Sequence, residues 1–63
     1  MKFRELEKLL LTDGWVHKNT KGSHYQYVHP VKSGKVTMPY QTGDLSPIIV
    51  KAILKQAGLE EEI

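Results

Sequence analysis

The sequence contains no cysteine, which excludes a disulfide-stapled scaffold and a cysteine-based zinc site. No apolar run exceeds three residues, as at Leu9–Leu11 and Ile48–Val50, so nothing in it reads as a membrane span. The opening Met1-Lys2-Phe3-Arg4-Glu5 lacks the apolar stretch of a secretory signal, and the cytoplasm is the expected compartment. Repeats, low-complexity tracts and linkers are also missing, so residues 1–63 read as a single domain. A chain this short buries only roughly 60% of the surface exposed by its unfolded state, which leaves a thin stability margin.

The last absence is acid. Between Asp13 and Asp44 there is no carboxylate, whereas Lys18, Lys21, Lys32 and Lys35 all lie there and give residues 14–41 a charge of +4. The flanks balance to zero over residues 1–13 and to −2 over residues 42–63. His17, His24 and His29 lie in the same acid-free stretch. An acid-free basic centre suits a polyanionic partner; an incidental scatter of surface lysines is the alternative.

Phe3, Leu6, Leu9 and Leu10 fall on one side at helical spacing, and Asp13-Gly14 supplies a stop, which predicts a helix over residues 2–12. The pattern then changes to short runs rich in Val, Thr and Tyr. Trp15–Asn19 reads as a first strand, Asn19-Thr20-Lys21-Gly22 as a tight turn, and His24–His29 as a second strand. Pro30-Val31-Lys32-Ser33-Gly34 reads as another turn, and Lys35–Met38 as a third strand ended by Pro39. Connections this short join antiparallel neighbours. Ser46 suits an N-cap and Pro47 the first helical position. Ile49, Val50, Ile53, Leu54 and Ala57 form the apolar stripe of a last helix that stops at Gly58. Leu59–Ile63 is expected to fray as an acidic tail.

The fold class is therefore α+β, with the order α-β-β-β-α and a three-stranded antiparallel sheet. Both helices cover one face, which takes Trp15, Tyr27, Val36 and Met38. The other face, with His24 and Gln26, stays open to a partner. Double-stranded-RNA-binding domains share this layout, although a fold alone does not fix a function.

Lys21-Gly22-Ser23-His24 is the densest cluster of reactive types. Gly22 permits close backbone approach, Lys21 and Ser23 can donate to a phosphate, and an imidazole can move a proton at neutral pH. RNA cleavage by attack of the 2′-hydroxyl needs that proton traffic and charge stabilisation, and it needs neither metal nor other cofactor. A surface histidine after a turn is the bland alternative. No metal site is expected, because His24 and His29 fall on opposite faces of a regular strand with no acidic residue nearby. No Ser-His-Asp arrangement is visible. Tyr25, Tyr27 and Tyr40 have rings on which bases can stack, with Tyr27 expected in the core and Tyr25 half-buried.

Four segments together resemble the HicA toxins, the RNA-cleaving halves of HicA–HicB toxin–antitoxin pairs. They are Gly14-Trp15, Lys21-Gly22-Ser23-His24, Val36-Thr37-Met38-Pro39 and Ile53-Leu54-Lys55-Gln56-Ala57-Gly58. The resemblance implies a fold like that of double-stranded-RNA-binding domains, His24 as the catalytic residue for mRNA cleavage, and a HicB-type antitoxin that covers the active face. Contact with DNA is then expected only indirectly, through the antitoxin. The family commonly carries a histidine two residues after the strand-ending proline. Gln41 stands there in this chain, so no second catalytic histidine is carried over. The resulting expectation is a toxin ribonuclease with Lys18, Lys21, Gly22, Ser23, Lys32 and Lys35 as RNA contacts. Its alternatives are a non-catalytic RNA-binding module and, if the basic centre is incidental, a protein-interaction domain.

Overall fold

In the computed structural model, which describes residues 1–59, the first apolar stripe forms helix α1 over Phe3–Asp13. Its start is held by Glu5, whose carboxylate accepts the Lys2 backbone N–H at 2.7 Å. Its end is set by Gly14, which adopts φ +106°, a left-handed conformation that disfavours side chains. The N–H of Gly14 then reaches Leu11 O at 3.1 Å and that of Trp15 reaches Leu10 O at 3.0 Å. These bonds satisfy carbonyls the helix leaves open and fold Trp15 back into the core.

Strands β1 (Val16–Lys21), β2 (His24–Val28) and β3 (Lys35–Pro39) follow, and helix α2 (Pro47–Ala57) closes the chain. The sheet is antiparallel in the order β1-β2-β3. Ser46 caps α2 by accepting the Ile49 N–H at 3.3 Å, with Pro47 in the first turn. The end of α2 repeats the stop of α1, with Leu59 N bonded to Leu54 O at 2.7 Å.

Both helices pack on one face of the sheet. From α1, Phe3 meets the rings of Tyr25 and Tyr40 edge-on at 4.9 and 5.0 Å. The Tyr27 hydroxyl donates to Glu7 at 2.6 Å. From α2, Val50, Ile53, Leu54 and Ala57 join the same buried cluster as Trp15, Tyr27, Val36 and Met38. Burial pushes the Glu7 carboxyl up, but hydrogen bonds from Tyr27 and Arg4 outweigh it and hold the group below its ordinary value. Burial and the same carboxylate raise the Tyr27 phenol. Among the described residues no helix is long and apolar enough to cross a membrane.

Several expectations are corrected. Trp15 is not the first residue of β1, which starts at Val16, because the helix stop bonds its N–H to Leu10 O and turns it into the core. Thr20 and Lys21 belong to β1, because they pair with Tyr25 and His24, so the turn shrinks to Gly22-Ser23. His29 leaves β2 and turns inward, while Pro39 is the last residue of β3. Proline is tolerated there because β3 is an edge strand that needs no donor on its outer side. Leu59 is a core residue at 6% exposure, drawn in by the helix stop. The rest of the expected frayed tail, residues 60–63, lies outside the described residues.

Candidate nucleic-acid interface

The strand register decides which side chains share the open face. The β1–β2 ladder pairs His17 with Tyr27 and then Asn19 with Gln26, leaving Lys18 as the extra residue of a bulge. His17 lies on the helix side, where its ring stacks on Tyr25 at 5.0 Å and its Nε2 meets Thr20 Oγ1 at 2.7 Å. Strict alternation from His17 puts Lys21 on that side too. The bulge resets the alternation, so Lys21 stands on the open face as the direct cross-strand neighbour of His24.

The open face then falls into three ranks running across the strands. The first is Lys21, His24 and Pro39; the second is Asn19, Gln26 and Thr37; the third is Val16, Val28 and Lys35. No carboxylate occurs among them. Directly opposed side chains have Cβ atoms about 5 Å apart. The first and third ranks are separated by about 13 Å along the strands.

His24 is exposed, and among the described residues its ring makes no hydrogen bond. The other two histidines are engaged. Nε2 of His29 lies 2.8 Å from the Asp13 carbonyl, while Nδ1 accepts the N–H groups of Val31 and Lys32 at 3.0 Å each. That pattern fits the neutral ring with its proton on Nε2, and it buries His29 edge-on to Trp15 at 5.2 Å.

The expected RNA contacts separate into three groups. Lys21, Gly22 and Ser23 are gathered around His24. Gly22 takes φ +58° with open space on the side where a Cβ would stand, and the Ser23 carbonyl accepts the Tyr40 N–H at 2.6 Å, tying the turn to the end of β3. Lys18 at the bulge and Lys35 at the far end of the face are exposed. Lys32 stands apart from these. Its ammonium donates to Asp13 Oδ2 at 2.6 Å and to the Ala57 carbonyl at 2.9 Å, bracing the ends of both helices. The hydrogen bond from Lys32 is what chiefly holds the Asp13 carboxyl below its ordinary range. The tyrosines grade as their positions require: Tyr27 is fully buried, Tyr25 half-buried and Tyr40 40% exposed. No group of three or more His, Cys, Asp or Glu side chains suited to a metal converges among the described residues.

Nothing local in the sequence marks Asn19 or Thr37. The register alone places them beside Gln26.

These features define a class: a small α-β-β-β-α domain like those that bind double-stranded RNA, with a carboxylate-free sheet face left uncovered. The particular family is shown by comparison. The model of the HicA toxin of bacterial toxin–antitoxin systems matches residues 3–59, and the chain belongs to that family. The structure of a toxin–antitoxin complex from Streptococcus pneumoniae contains a similar chain, 33% identical, with a TM-score of 0.79 over 94% of this chain and 98% of that one. No curated protein matches significantly.

Proposed function

We propose that this toxin is an endoribonuclease that cleaves mRNA by metal-independent acid–base chemistry at His24. The observation that carries the reading is the placement of His24. It is the one histidine whose ring is exposed and unengaged among the described residues, and it stands beside Lys21 on a face without acid. In the proposed reaction the imidazole takes the proton of a 2′-hydroxyl as that oxygen attacks the adjacent phosphorus. The bond from phosphorus to the 5′-oxygen breaks, and the imidazolium returns its proton to the departing oxygen. The products are a 2′,3′-cyclic phosphate and a 5′-hydroxyl. The Lys21 ammonium opposes the charge that builds on the phosphoryl oxygens.

The test is cleavage of a single-stranded RNA in EDTA beside the same RNA with 2′-deoxyribose at the cut position. Undiminished cleavage in EDTA, cyclic-phosphate ends and resistance of the deoxy substrate are expected. Activity lost on chelation and restored by a divalent ion overturns the mechanism.

Lys18, Lys21 and Lys35 hold the backbone by charge in this reading, and Lys32, already engaged, is left to the fold. Three phosphate contacts to a single strand give a slope near −2 in log K against log salt, so affinity falls about 20-fold between 50 and 200 mM. Replacing Lys21 with Ala lowers that slope by about 0.7 and weakens all sequences alike. Titrations by fluorescence anisotropy at several salt concentrations read both. An unchanged slope in the Lys21 variant removes this lysine from the contact surface.

The same face is proposed to receive a HicB-type antitoxin. An inhibitor presenting carboxylates there meets Lys21 and Lys35 with complementary charge, associates quickly and covers His24 in the same interface.

A further inference from the structure

We propose that the second rank, Gln26 flanked by Asn19 and Thr37, is a base-reading subsite. It takes the hydrogen-bonding edge of the unpaired nucleobase next to the phosphate at His24, and so sets where the toxin cuts. The inference rests on the ribonuclease reading and assigns its sequence preference.

Three features of the face lead to it. The rank lies about 7 Å along the strands from the rank of His24 and Lys21, on the same face and in unbroken register. None of the three side chains makes a hydrogen bond among the described residues, although Gln26 and Thr37 are half-buried. The rank is also neutral between two ranks that carry lysine. An open strand face that needs only to stay soluble is served by charge, whereas two amides and a hydroxyl offer donors and acceptors side by side. That alternation matches the edge of a base. Single-stranded RNA is read in this way, on edges freed from pairing and laid across a protein surface.

The neighbouring ranks fit the same occupant. Lys21 addresses the phosphate on one side of the base and Lys35 the backbone beyond it. Val16, 55% exposed, and half-buried Val28 give the next base an apolar floor. Gln26 is in the central strand, so it is the member of its rank with a neighbour on each side and the one best placed to fix the base.

The experiment is cleavage of a random-sequence single-stranded RNA pool by the parent protein, Gln26→Leu, Asn19→Ala and Thr37→Val, with cut sites read by sequencing and folding checked by thermal melting. The parent is expected to prefer one base at a position flanking the cut. Gln26→Leu is expected to lower that preference by roughly 5- to 150-fold, with the loss concentrated at the favoured sites. Asn19→Ala and Thr37→Val are expected to shift it in the same direction by less, and they carry the test if Gln26→Leu does not fold. An unchanged preference in all folded variants overturns the inference and leaves the ribonuclease reading standing. So does a uniform loss of cleavage at every sequence. A parent that cuts no RNA overturns both readings.

Discussion

His24→Ala is expected to leave the protein folded and to lower RNA cleavage by about 10²- to 10⁴-fold, the usual contribution of a positioned proton-transfer group. The side chain is exposed and fills no core volume, so the melting temperature stays close to that of the parent. His29→Ala separates the two kinds of histidine, because it removes a ring bonded to Asp13, Val31 and Lys32 and acts on stability. His17→Ala removes a ring on the helix side and leaves the open face intact. Initial cleavage rates and melting curves for the three variants are sufficient. Retention of more than about a tenth of the parent rate in His24→Ala, where a proton-transfer role requires a larger loss, moves the chemistry elsewhere and favours a module that binds RNA without cutting it.

Gly14→Ala is expected to cost about 2–5 kcal/mol. A left-handed backbone costs a residue with a Cβ about 1–2 kcal/mol. The Cβ built at Gly14 also falls 2.8 Å from Nε2 of His29, and that ring is pinned by hydrogen bonds on both nitrogens. Forcing such a contact adds about 1–3 kcal/mol. The whole domain, at typical values per residue, has roughly 3–9 kcal/mol of stability, so the substitution removes from about a fifth of it to all of it. Gly22→Ala is the control. Gly22 also has a positive φ, but nothing lies within 4 Å of its added Cβ, so only the smaller backbone cost applies. Urea midpoints for the two variants measure the contrast. Equal shifts for both remove the His29 contact from the account.

Elements whose signals are local were legible in the sequence. Ser46-Pro47 and Gly58 bracket α2, and the spacing of Phe3, Leu6 and Leu10 marks the buried side of α1. Alternation in β2 separates His24 and Gln26 from Tyr25 and Tyr27. What escaped depends on partners far along the chain. Lys32 reads as a free surface cation until α2 brings the Ala57 carbonyl to it across 25 positions. His29 continues the strand pattern, yet the Asp13 carbonyl and two backbone N–H groups draw it off the ladder. Leu59 had a usable signal in Gly58-Leu59, which repeats the helix stop of Gly14-Trp15, but the acidic residues after it pointed to a tail. The bulge at Lys18 had no local mark, so the partnership of Lys21 with His24 could not be read from alternation.

That bulge is a reserve of chain length. β1 has one residue more than its pairing needs between His17 and Lys21, so a deletion at position 18, 19 or 20 can be absorbed by straightening the strand. Trp15 then stays in the core and Lys21 stays beside His24: loss of Lys18 leaves Asn19 opposite Gln26, loss of Asn19 puts Lys18 there, and loss of Thr20 also brings Asn19 opposite Tyr25. An insertion finds no matching slack. It must either deepen the bulge or turn one end of β1 over, exposing Trp15 or withdrawing Lys21 from the histidine. The site is thus buffered against loss of a residue in this strand and unprotected against gain.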